Sequence, residues 1–169
     1  MKRVLLVLLF LGLVGSAQAV ELHFAPLENL ERIELARLNA ARRTIDMAAF
    51  VLTDAPLIGA LTAAAYRGVH IRLYLDGTQG GSEAMAPDGP LGRLFSAPNT
   101  QIRMKRAKTP AMGLKSYCLD GLIYRTGSAN FTAASLKDQD ADLLLFEDKR
   151  LCGDFTISFE QLWNGPDAE

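Results

Sequence analysis

Between residues 113 and 132 the chain reads Gly113-Leu114-Lys115-Ser116-Tyr117-Cys118-Leu119-Asp120 and then Gly127-Ser128-Ala129-Asn130-Phe131-Thr132. A cation, a hydroxyl and a carboxamide set this close together suit the oxygens of a phosphate. Displacement at a phosphodiester needs an in-line nucleophile, an acid for the leaving oxygen, and cations or amides on the non-bridging oxygens. Each residue also has a purely structural use. Asp120-Gly121 is a favourable hairpin turn, Gly127-Ser128 suits a strand-to-helix turn with a cap, and Asn130 can cap a helix beginning at Phe131. The two uses are compatible, because amides at a helix start attract phosphate.

Upstream, Arg103, Lys105, Arg106 and Lys108 place cations beside such a site. Alternate residues of a strand share a face, so Arg103 and Lys105 can point the same way. A polyanion-binding strip and a charge-protected edge strand both fit this pattern.

The elements that must position these residues are legible from periodicity. Pro26 to Arg43 has the three-four spacing of an amphipathic helix, with Pro26 in its first turn. Thr44 to Val51 is apolar on both faces and reads as a buried strand. Ala55 to Arg67 is a helix closed by Gly68, and Val69 to Leu75 a second strand, which completes a right-handed strand-helix-strand unit with a parallel pair. A Gly, Pro, Ser and Asp-rich loop covers 77 to 92, with a short helix at 91 to 96. Thr100 to Lys105 is a strand, and Leu114 to Leu119 and Leu122 to Thr126 form a hairpin around Asp120-Gly121. A helix at 131 to 137, a strand at 142 to 146 and a helix at 150 to 163 close the chain.

Residues 1–19 read as a secretory signal: Lys2 and Arg3, the apolar run Val4 to Val14, and Ala17-Gln18-Ala19 as a small-x-small cleavage site. That run is shorter than the roughly 20 residues a membrane span needs, so no transmembrane anchor is expected after cleavage and the location is periplasmic or secreted. Residues 20–169 suit one domain with a proper core. The formal net charge of −1 becomes more negative on loss of Lys2 and Arg3, so global charge does not mark a nucleic-acid binder. Two cysteines, Cys118 and Cys152, could pair in an exported protein, closing a loop that contributes about 4 kcal/mol in the chain-entropy picture. Cys118 could equally be a small apolar core residue.

The order Lys115, Asp120, Gly127-Ser128-x-Asn130 resembles the phospholipase D superfamily, whose signature is His-x-Lys, four residues, Asp, then Gly-Ser-x-Asn. Gly113 stands where that signature has its histidine. Phe24-Ala25-Pro26, Ala41-Arg42-Arg43-Thr44-Ile45-Asp46, Thr53-Asp54-Ala55-Pro56, Arg67-Gly68-Val69 and Leu75-Asp76 together resemble the small bacterial endonuclease branch, which is similar to mitochondrial phospholipase D-like proteins. The resemblance implies an α/β fold, a mixed β-sheet flanked by helices on both faces in a single domain, with no cofactor and no metal. It implies further that one histidine attacks phosphorus and a second, from another motif copy, protonates the leaving group. With one copy here, a homodimer must supply the pair, the Gly113 to Lys115 segments facing each other across a two-fold axis.

Carried over by position, Lys115 is the phosphate-binding cation, Ser128 and Asn130 are phosphate hydrogen-bonders converging with it in one cleft, Asp120 supports the motif at the hairpin, and Gly113 holds the place of the nucleophile. The acid that buttresses the histidine in this branch falls near position 141, where the chain has Ala141 between Asp140 and Asp142. His70, second in its strand, is at the wrong end for a site in an open α/β sheet, and His23 reads as a surface residue of an edge strand. Two function classes follow. One is a phosphodiesterase acting on nucleic acid or phospholipid through a phosphohistidine, impaired at Gly113. The other is a pseudoenzyme that binds phosphate ligands or nucleic acid.

Overall fold

The computed structural model describes residues 20–78, 86–89, 91–106 and 109–169. The expected signal segment 1–19, much of the expected 77–92 loop and Lys108 therefore lie outside the described residues. The chain runs β1 (Val20–Ala25), α1 (Leu30–Ala40), β2 (Thr44–Ala49), α2 (Ala55–Tyr66), β3 (His70–Asp76), α3 (Gly92–Phe95), β4 (Thr100–Lys105), β5 (Lys115–Leu119), β6 (Ile123–Thr126), α4 (Ala133–Lys137), β7 (Ala141–Glu147) and α5 (Lys149–Trp163). The seven strands form one mixed sheet in the order β1-β7-β6-β5-β2-β3-β4. β2, β3 and β4 are parallel, and the other pairs are antiparallel.

Two cores sandwich this sheet. On one face Leu30 and Leu38 of α1, Leu57 and Leu61 of α2 and Leu136 of α4 pack on Ile45, Met47, Leu73, Tyr117, Leu143 and Leu145. On the other, α5 buries Cys152, Phe155, Phe159 and Trp163, the three-four spacing of a helix stripe, against Ala48, Tyr74, Met112 and Cys118. A Cys118–Cys152 disulfide joins α5 to β5, settling the choice between pairing and simple core burial. Among the described residues no helix is long and apolar enough to cross a membrane.

The boundaries depart from the periodicity in three places. The edge strand read at His23 spans residues 20–25, and Pro26 lies in the turn after it rather than in the first turn of the helix. α1 starts at Leu30, where the Asn29 side chain accepts the Arg32 N–H. α4 starts at Ala133, because Phe131 is held in a bridge to Leu52, and the cap is the Thr132 hydroxyl on the Ser135 N–H. Asn130 is not the cap.

The two sheet edges differ. Along β4 the carboxyl-terminal tail adds a bridge at Lys105–Ala168 and backbone bonds between Met104 and Glu169. Among the described residues β1 has no such cover, and Val20, Leu22 and Phe24 are about half exposed on one face.

Candidate active site

The carboxyl ends of β2 and β3 meet the start of β5. Ala49 is the register partner of Lys115, and the Phe50 N–H donates to the Leu114 carbonyl at 2.8 Å. Two residues earlier, the Met112 N–H donates to the Asp76 carboxylate at 2.7 Å, while the Met112 side chain is buried in the α5 core. Burial pushes the Asp76 carboxyl up, but its bonds from Thr78 and Met112 outweigh this and hold it below its ordinary value. Residues 112–114 are thus pinned on both sides, and Gly113 between them has a defined place.

Gly113 is exposed, and a Cβ built on it meets no heavy atom within 4 Å. Its φ is not among the positive values of the chain. Neither backbone conformation nor crowding calls for a glycine here. The Lys115 ammonium donates to the Gly113 carbonyl at 3.0 Å and lies 5.3 Å from the centre of the Phe50 ring. Among the described residues no carboxylate pairs with it.

Asn130 reaches the same place from β6. The Phe131 N–H donates to Val51, and the Phe131 carbonyl accepts from Thr53 and Asp54. Lys115 and Asn130 therefore flank the one short segment, Phe50 to Leu52, that leaves β2. The Asn130 N–H is fixed on the Ser135 hydroxyl at 3.0 Å. Its side-chain oxygen is buried without a partner, an arrangement that costs free energy unless something else completes it.

Ser128 is placed differently from the expectation of a single cleft. Its N–H and its hydroxyl both donate to the Asp142 carboxylate, and the hydroxyl oxygen accepts the Asp142 N–H at 2.9 Å. A hydroxyl has one proton to give, and this one is taken. The Ser128 bond is the main cause holding the Asp142 carboxyl below its ordinary value, against the opposing effect of burial. Ser128 and Asp142 line a cavity of about 630 Å³ with Phe24, Pro26, Leu27 and Asp140, and neither Lys115 nor Asn130 belongs to its walls. Position 141 is a buried alanine, so the acid of this segment faces Ser128 rather than position 113.

Asp120 stands at the far end of β5, five residues and about 16 Å of strand from Lys115. Its carboxylate accepts the N–H groups of Arg42, Arg43 and Thr44 at 2.7 to 2.9 Å. Burial raises its carboxyl, and these three bonds overcome that and lower it. It ties the hairpin to the α1–β2 connection. His70 is exposed at this same end of the sheet. His23 is held by Glu28 at 2.8 Å and Glu21 at 3.4 Å in a separate cavity against α1. Burial pulls its imidazole down, yet the two carboxylates leave it raised.

The upstream basic residues are largely spoken for. Arg103 donates to the Trp163 carbonyl and stacks 4.8 Å from that ring, and Arg106 pairs with Glu169 at 3.6 Å. Among the described residues no cluster of three or more metal-ligating side chains exists.

Sequence reasoning missed Glu34 and Arg125, both fully buried. Glu34 occupies the Leu30–Leu38 stripe of α1, and a carboxylate at the centre of an apolar stripe was the available signal. Its Oε1 accepts from Arg125 Nε at 2.7 Å and its Oε2 from the Tyr117 hydroxyl at 2.7 Å.

The chain and its fold are similar to known proteins. The family described as cardiolipin synthase, PLD-like domain, matches residues 35–163. The mitochondrial cardiolipin hydrolase of Xenopus laevis is 26% identical over 129 residues, 76% of this chain and 59% of that protein, so the chain spans well under two thirds of this relative. NucT from Helicobacter pylori superposes with a TM-score of 0.78 at 19% identity, over 90% of this chain and 98% of that one. Nuc from Salmonella typhimurium, a phospholipase D family member, gives 0.75 at 21% identity, over 90% and 97%.

Proposed function

The chain belongs to the phospholipase D-like phosphodiesterase family, and on that premise we propose that it keeps the family's phosphate site while lacking the nucleophile. The observation that carries this is that Lys115, free of any carboxylate partner among the described residues, and Asn130 follow backbone contacts to the same short Phe50–Leu52 segment, beside an uncrowded Gly113. A phosphodiester in this site lays its non-bridging oxygens against the Lys115 ammonium and the Asn130 carboxamide, which offset the charge that builds in the transition state.

With an imidazole at position 113, its ring nitrogen forms a bond to phosphorus as the phosphorus–oxygen ester bond breaks. The departing oxygen takes its proton from a second imidazole, and water then returns the phosphoryl group to solution. Gly113 offers no such electron pair, and deletion of a covalent nucleophile costs on the order of 10⁴ to 10⁶ in rate. The chain is accordingly a severely impaired phosphodiesterase, or a protein that binds phosphorylated ligands or nucleic acid through the same residues. Both readings share the phosphate site.

The unit that acts is a homodimer, supported by the single motif copy and by the apolar residues that β1 leaves exposed beside the Ser128 cavity. A sedimentation run at micromolar concentration should give a dimer, and a strict monomer contradicts it. A periplasmic or secreted location is supported by the amino-terminal signal pattern and by the Cys118–Cys152 bond.

Titration with inorganic phosphate tests the site itself. Amide and side-chain resonances of Lys115 and Asn130 should shift together and saturate, and Lys115→Ala should abolish the shift. Phosphate that leaves both residues unmoved refutes the reading.

A further inference from the structure

We propose that Arg125, held by Glu34, is the positioning residue that sets the spacing between the two halves of the phosphate site; the inference rests on the phosphate-site reading above. Arg125 projects from β6 into the core beneath both halves, and its side chain and that of Glu34 are completely buried. Its three nitrogens go to α1, to β5 and to the turn that follows β6. Nε bonds Glu34 of α1 at 2.7 Å, Nη1 donates to the carbonyl of Lys115, and Nη2 donates to the carbonyl of Ala129 at 3.1 Å.

Lys115 is the cation of the site, and Ala129 is the residue immediately before Asn130. One rigid guanidinium therefore fixes the backbone at both phosphate-binding positions. The planar fork makes this possible, because a lysine ammonium on a flexible stem cannot span two carbonyls and a carboxylate in a fixed plane. The fork is itself held: its carbon lies 4.5 Å from the Phe131 ring centre, and the Tyr117 hydroxyl occupies the other Glu34 oxygen at 2.7 Å.

Stability alone is a weak reason for such a pair. Taking two charges out of water costs several kcal/mol per ion, and apolar residues of similar volume in their place are often neutral or stabilising. What the apolar alternative cannot supply is a common anchor for the Lys115 carbonyl of β5 and the Ala129 carbonyl of the turn after β6. A site that must present an ammonium and a carboxamide to one phosphate needs that registration to a fraction of an ångström.

The test compares phosphate affinity, thermal stability and Asn130 amide exchange in the full chain and in Arg125→Lys. The lysine keeps a partner for Glu34, so the variant is expected to fold with a lowered Tm. Its phosphate affinity should fall by about tenfold or more, as when the outer partners of a metal site are removed, and the Asn130 amide should exchange faster. A folded Arg125→Lys that binds phosphate as tightly as the parent overturns the proposal. If that variant does not fold, the double variant Glu34→Leu with Arg125→Met, which removes both charges together, is read by the same comparison. Should neither fold, the pair serves the fold and the positioning role is wrong. Failure of the parent to bind phosphate is a separate result: it refutes the phosphate site, and the positioning role with it.

Discussion

Ser128 and Asp142 hold each other through three hydrogen bonds, the serine N–H and hydroxyl to the carboxylate and the aspartate N–H back to the hydroxyl. The arrangement locks the turn between β6 and α4 onto the start of β7. It also commits the serine proton to an internal anion, so the proposed phosphate site is built on Lys115 and Asn130 without it.

The pair gives a pH signature. The Asp142 carboxyl is lowered, chiefly by the Ser128 bond, so its contribution to stability is complete above the unfolded carboxyl value of about 4 and is lost as pH falls through the lower folded value. Asp142→Asn should therefore lower Tm at pH 7 and cost progressively less below pH 4, by about the amount the parent itself loses. Equal losses at both pH values would show that the charge of Asp142 plays no part.

Two glycines of the motif should answer oppositely to alanine. Gly127 has φ of 139°, and a Cβ there would lie 2.4 Å from the Asp142 carbonyl oxygen. Gly127→Ala should destabilise by about 2 kcal/mol or more in denaturant unfolding. At Gly113 nothing stands within 4 Å, and Gly113→Ala should stay within about 0.5 kcal/mol of the parent.

Asp120 should separate stability from binding. Asp120→Ala leaves three backbone N–H groups without their carboxylate and should cost about 2 kcal/mol or more. At about 16 Å along the strand from Lys115, it should leave the phosphate affinity of the folded protein unchanged. A tenfold loss of affinity without loss of stability would place Asp120 in the site after all.

Much of this was legible before any coordinates. The apolar run Thr44 to Val51 marks a buried strand, and the three-four spacing after Pro26 marks the helix ahead of it. The spacing from Lys115 to Asn130 brings both residues to the same end of the sheet, since β5 and β6 are the arms of one tight hairpin. The start of α1 was harder, because the helix pattern reaches back to Pro26 while the chain turns there and the Asn29 cap sets the helix at Leu30. The Cys118–Cys152 bond depends on where α5 crosses the sheet, and sequence separation does not encode that. The Ser128–Asp142 and Glu34–Arg125 contacts bridge residues 14 and 91 apart in the chain. They are products of register and helix rotation, which local patterning leaves open.

The central claim is that the site lacks its nucleophile and little else, and Gly113→His tests it most directly. An activated phosphodiester should be hydrolysed in the presence of chelator by the folded Gly113→His protein several orders of magnitude faster than by the parent, on the scale of 10⁴ or more that a covalent nucleophile contributes. Free imidazole should partly rescue the parent by entering the open space beside Lys115. A Gly113→His protein that is folded, binds phosphate and stays at the buffer rate would contradict the claim, and would leave phosphate binding as the function of the site.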